Sequence, residues 1–156
     1  MNALLFDSLL AYAHFVALIG TACLLVAELL LVRPILRADA LHRLRTLDGL
    51  YGGFAVLTLV TGGLRLFMGL KGSAYYLSNP VFHAKFTLFV LVGLVSILPT
   101  LRFLQWSKAA KADAAFTPPA DAVQRVRRWL LIELHLLALI PLAATLMAHG
   151  ITGRGA

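Results

Sequence analysis

Polar residues break the apolar stretches of this 156-residue chain at helical spacings. His14, Thr21 and Glu28 recur every seven residues, as do Tyr51, Thr58 and Arg65. Lys85 and Ser96 are eleven apart, and His135 and His149 share a stripe with Thr145. At 3.6 residues per turn, each set returns to one face of its helix. Imidazoles can ligate a metal or move a proton. Carboxylates can take up a proton or a cation, and Arg or Lys can hold an anion. No set spells a catalytic signature, so these are candidates for binding rather than for a named reaction.

The elements that must position them are membrane spans. The chain is 60% hydrophobic and 13% charged, with mean hydropathy +0.86, where a soluble domain has about a quarter of its residues charged. The run from Ser8 to Ala27 carries no formal charge and is long enough to cross a bilayer. Apolar stretches near 49–70, 82–104 and 129–149 follow. The expectation is one all-α domain, an integral membrane up-down four-helix bundle, with spans at about 5–33, 49–70, 82–105 and 127–149. A flexible cytoplasmic loop, 106–126, is expected around "KAAKADAAFTPPADA".

The net charge of +7 is distributed as a topology signal. Arg33, Arg37, Arg43 and Arg45 separate the first two spans; Arg102, Lys108, Lys111, Arg125, Arg127 and Arg128 lie between the last two. The other face carries only Lys71 and Arg154, apart from Arg65 and Lys85 at helix ends. Positive loops stay in the cytoplasm, which places both termini in the periplasm of a bacterial inner membrane. The same charges suit anionic lipid, and no nucleic-acid partner is expected. A second copy of the chain or a membrane partner subunit is compatible with so small a bundle.

Depth sorts the polar residues into two layers. With Thr21 and Thr58 as midpoints, His14, Arg65 and Lys85 fall in an outer layer, and His83 and His149 lie nearer the interface. No acid is placed among them, so this layer asks for an anion: a lipid phosphate, haem propionates or a small carboxylate. Glu28, Tyr51 and His135 form an inner layer, in which Glu28 and His135 are expected to pair as membrane-buried charges do, as a helix clamp or a proton relay. Glu133, two residues from His135, is expected to face away, towards Arg128.

Local signals complete the reading. Pro34 ends the first span, and the basic segment 35–48 reads as a short surface element. Asp48 is a candidate N-cap for span two, and Gly49 and Gly53 form a small-xxx-small pair for close helix packing. "KGSAYYLSNP" reads as an outer loop with interfacial tyrosines. Pro99 and Pro141 are expected to kink their helices. The single Cys23 reads as a small core residue. The N-terminus has neither the basic region nor the cleavage site of a signal peptide.

The stretches "AYAHFVALIGTACLLVAELLLVRP", "DGLYGGFAVLTLVTGGLRLF" and "GSAYYLSNPVFHAKFTLFVLVGLVSILPTLRFLQW" closely resemble a bacterial family of four-span inner-membrane proteins of unknown function. A fainter resemblance, carried by His14 and "VFHAK", is to the four-helix membrane protoporphyrinogen oxidase and to copper-resistance D-type membrane domains. The oxidase likeness implies a haem b; in that reading His14 is an axial ligand and Arg65 and Lys85 hold the propionates, with His83 in the same candidate site. The chain departs from the oxidase at the end of span three, where "ILPT" stands. Its His and Met content is too sparse for a copper path. Three readings follow: a non-enzymatic accessory or lipid- or anion-binding bundle, a haem-binding redox protein, and a small transporter subunit.

Overall fold

The computed structural model describes residues 2–70 and 72–149; Lys71 and Arg154, counted above in the topology signal, lie outside them. Four long helices, α1 (Ala3–Leu31), α2 (Ala38–Met68), α4 (Pro80–Ala112) and α5 (Ala120–Ala148), and one short helix, α3 (Gly72–Leu77), make up the chain, with no strand among the described residues. All four long helices have the length and apolarity to cross a membrane. The protein is an all-α, four-helix membrane bundle.

The caps explain where the helices start and stop. Asn2 and Asn79 accept from the backbone N–H groups of Leu4 and Val81 at 3.2 and 2.9 Å, taking up donors that the first turn leaves unpaired. Pro80 follows at the first turn of α4, where its missing N–H costs nothing. Gly72, at φ +72°, supplies the left-handed residue that opens α3.

Each long helix packs against two neighbours, α1 on α2 and α5, and α4 on α5 and α2, so the bundle is a ring with α1 opposite α4 and α2 opposite α5. Both basic connections lie at one end. There Arg127 of α5 donates to the Leu29 and Val32 carbonyls, in the last turn and at the C-cap of α1, at 3.2 and 3.0 Å. That contact satisfies orphan acceptors and sets a cation against the negative end of the helix dipole.

Several expectations give way to longer helices. Segment 35–48 is not a separate surface element: α2 is continuous from Ala38, its N-cap position is Arg37, and Asp48 is a buried mid-helix residue. The loop expected at 106–126 is helical except for 113–119. A helix of 33 residues is ~50 Å long, against a hydrocarbon core of ~30 Å. The surplus lies largely at the basic end, where Leu36, Leu41, Leu44, Phe103, Trp106 and Val126 close a dry core. Burial of this surface favours helix over loop there. The outer loop contains α3, with Tyr76 buried.

The membrane-facing surfaces of the helices are apolar, with Phe15, Ile19, Leu59, Leu94 and Leu139 exposed. Cys23 is also exposed and is not a core residue. Close helix packing uses Gly20, where a Cβ would run into the Phe54 ring. Gly53 has no neighbour for a Cβ to meet within 4 Å, and Gly49 meets only Arg45 at 3.7 Å, so the expected pair does not bring helices together. Both α4 and α5 continue through their internal prolines.

Candidate functional site: two polar layers

The α1 stripe is a ladder against α2. His14 Nδ1 lies 3.0 Å from Thr61 Oγ1, and Thr21 Oγ1 lies 3.4 Å from Thr58 Oγ1. Asp7, one further heptad step from His14, accepts from Leu70 N at 3.2 Å. The Thr61 hydroxyl donates to the Leu57 carbonyl at 2.7 Å, which uses its only hydrogen. The Thr61 side chain thus links the α2 backbone to the His14 ring of α1.

At the end away from the basic connections, His14, Arg65 and Lys85 come from α1, α2 and α4 and lie close enough for their charges to act on one another. Lys85 Nζ stands 5.5 Å from the Phe82 ring centroid. Arg65 Nε is buried with no hydrogen-bond partner, and neither Arg65 nor Lys85 makes an ion pair among the described residues. The layer is not free of acid as the sequence suggested. Asp7 is present at this end, tied to the backbone of Leu70. His83 does not join: it is exposed, with Nε2 2.9 Å from the Leu77 carbonyl, and so ties α4 to α3. His149 is likewise exposed, its ring bonded to the Thr145 carbonyl.

The other layer differs most from the expectation. Glu28 and His135 are not partners. His135 is exposed, with Nδ1 2.6 Å from the Leu131 carbonyl of its own helix. Glu133 occupies the interior at 1% exposure, and Tyr51 donates to its Oε1 at 2.5 Å, across the bundle from α2 to α5. The buried face of α5 runs Val126, Leu130, Glu133, Leu137, Ile140, a seam of alternating three- and four-residue steps. His135, Thr145 and His149 lie off this seam and are exposed. Asp48, 5% exposed, accepts from Thr100 of α4 at 2.6 Å and pairs with Arg45 at 3.3 Å. Glu28, 2% exposed, has no ion pair among the described residues, and its Oε1 has no hydrogen-bond partner among them. The charges of Asp48 and Glu133 reach it. Each long helix thus sends one or more polar groups into this layer: Glu28, Asp48 with Tyr51, Thr100, and Glu133.

The sequence reading missed Glu133, Asp48, Thr100 and Asp7. A heptad signal existed for Asp7, which extends the 14-21-28 stripe. No group of three or more His, Cys, Asp or Glu among the described residues is placed to hold a metal ion.

The residues do not fit a haem. His14 is wedged between helices, Nδ1 on Thr61 and Cε1 3.1 Å from where a Cβ on Gly62 would stand. His83 is turned to Leu77. Two clefts, about 370 and 560 Å³, are lined by Arg45, Gln105 and Lys111, and by Arg33, Arg43 and Thr46; neither reaches His14.

Fold and layers together define a four-span integral membrane protein with ionisable groups buried near both ends of its bundle. A family model described as "Predicted membrane protein (DUF2214)" matches residues 6–152, and the chain belongs to that family. Neither a curated protein nor a solved structure matches it.

Proposed function

We propose that the protein is a non-enzymatic bundle of the bacterial inner membrane that binds the phosphate of an anionic lipid between Arg65 and Lys85, at the periplasmic end. The observation that carries this reading is the Arg65 guanidinium, whose buried Nε has no partner. A guanidinium keeps its charge under all relevant conditions, and a half-buried cation without a counter-ion bears part of the desolvation cost of a buried one. A phosphate offers the acceptor geometry that a guanidinium recognises, and Lys85 from the adjacent helix adds a second charge. His14 stands beside the pair and, bonded to Thr61, helps fix its floor.

Orientation belongs to the same proposal. The basic connections face the cytoplasm and both termini the periplasm, so the lipid comes from the outer leaflet of the inner membrane. The partners are lipids rather than nucleic acid, and a second copy or a membrane subunit would contact the apolar outer faces.

Native mass spectrometry on protein purified from membranes containing anionic and zwitterionic phospholipid tests the reading. The expected result is retention of anionic phospholipid, lost in Arg65→Leu and weakened in Lys85→Leu. Equal retention of both lipid classes, or retention unchanged by Arg65→Leu, refutes it. A Soret band after haem supplementation, abolished in His14→Ala, would establish the haem reading in its place.

A further inference from the structure

The basic-end layer holds an imbalance that lipid binding at the other end does not explain. Three carboxylates, Glu28, Asp48 and Glu133, are buried inside the bundle towards its basic end. One cation, Arg45, pairs with Asp48. Arg127 of α5 is spent on the terminal carbonyls of α1. Glu28 and Glu133 make no ion pair among the described residues. Glu133 has one donor, the Tyr51 hydroxyl; the Oε1 of Glu28 has none. Two ionised carboxylates buried in one layer, close enough for their charges to act on one another, are strongly unfavourable, and something positive must accompany them.

The occupant must be small, because the side chains around it are buried and neither described cleft extends to Glu28. A multivalent metal is disfavoured by the spacing of the acids. The groups facing Glu28 are Asp48, with its partner Arg45, and Tyr51 from α2, and Glu133 from α5. Arg127 lies beside the end of α1, and α4 contributes the uncharged Thr100. Arg45 also lines the cleft of about 370 Å³ that opens between α2 and α4, with Gln105, Ser107, Lys108 and Lys111. The cleft therefore reaches the Arg45 side of the Arg45–Asp48 pair.

We propose that Glu28 and Glu133 form a buried proton-binding site, loaded from the basic end past Arg45, Asp48 and Thr100. In the loading step, a hydronium ion in the cleft gives up its proton and leaves water. The proton forms an O–H bond on Glu28, and the net charge of the pair rises by one. Glu133, holding the Tyr51 hydrogen bond, is the second carboxylate of the site, and neutralising Glu28 removes the repulsion between them. Tyr51 and Thr100 act as positioning residues. This site is independent of the lipid site, and either can fail alone.

Infrared spectroscopy of the full chain in lipid nanodiscs at neutral pH tests the proposal. The expected result is a protonated-carboxyl C=O band that shifts in D2O, is absent from Glu28→Gln, and moves in Tyr51→Phe. Absence of the band from the folded wild type overturns the proposal, and that measurement needs no variant to fold. A band that survives Glu28→Gln but is lost in Asp48→Asn also overturns it. So does a bandless wild type whose thermal stability rises with sodium concentration, which would make the pair a monovalent-cation site.

Discussion

The diagonal contact between Tyr51 and Glu133 offers the sharpest test of how the bundle is held. Tyr51→Phe removes one oxygen and leaves the Glu133 Oε1, 2.5 Å from it, without its donor. Glu133 is 1% exposed and Tyr51 5%, so water cannot replace the bond without opening the core. A buried polar atom stranded in this way costs roughly 1–3 kcal/mol. For a chain of this size, each 1 kcal/mol lowers the melting temperature by about 2–4 °C. Glu133→Leu removes the acceptor and, in the double variant with Tyr51→Phe, both polar partners are gone. The cost of the tyrosine change should then largely vanish, giving a coupling energy of about 0.5–3 kcal/mol. Thermal unfolding of purified protein in one detergent, followed by circular dichroism, measures all four corners of the cycle. His135→Leu is the control: its ring is exposed and bonded to its own helix, so it should add independently to Tyr51→Phe. Coupling to His135 with additivity at Glu133 would refute the placement of α5 and put His135, not Glu133, in the interior.

The same preparation checks the helix contacts. Gly20→Ala should destabilise by ~1–3 kcal/mol, because its Cβ collides with the Phe54 ring; Gly53→Ala, with open space around it, should be neutral or stabilise by up to ~1 kcal/mol through helix propensity. Arg127→Gln should speed amide exchange in the last turn of α1 and cost about 0.3–1 kcal/mol, since it removes the donor to Leu29 and Val32. Arg128→Gln, which makes no such contact, is the comparison. Reporter fusions within 113–119 should register as cytoplasmic and fusions after Thr145 as periplasmic; the reverse would exchange the two ends in the orientation proposed.

Much of the architecture is legible in composition and spacing. Apolar length specifies four spans, because a bilayer accepts only segments that satisfy their own backbone. The heptad recurrence of His14, Thr21 and Glu28 marks the buried face of α1, since a polar group facing lipid is costly. Tyr51 and Thr58 mark that of α2 in the same way. Helix ends at the basic face were not legible. Whether 35–48 and 106–126 continue as helix depends on Leu36, Leu41, Phe103 and Trp106 finding one another, a tertiary event between segments distant in the chain. The face of α5 was equally hidden. Along "LLIELHLLALIPL" nearly every position is apolar, so hydrophobic periodicity does not choose between Glu133 and His135, two residues and about 200° apart. A histidine can turn its ring back to the Leu131 carbonyl and remain at the surface. A carboxylate has no hydrogen to donate to such a carbonyl and gains more from a donor across the core. The packing of α5 on α1 and α4 settled which of the two is inside, and with it which acids share the interior.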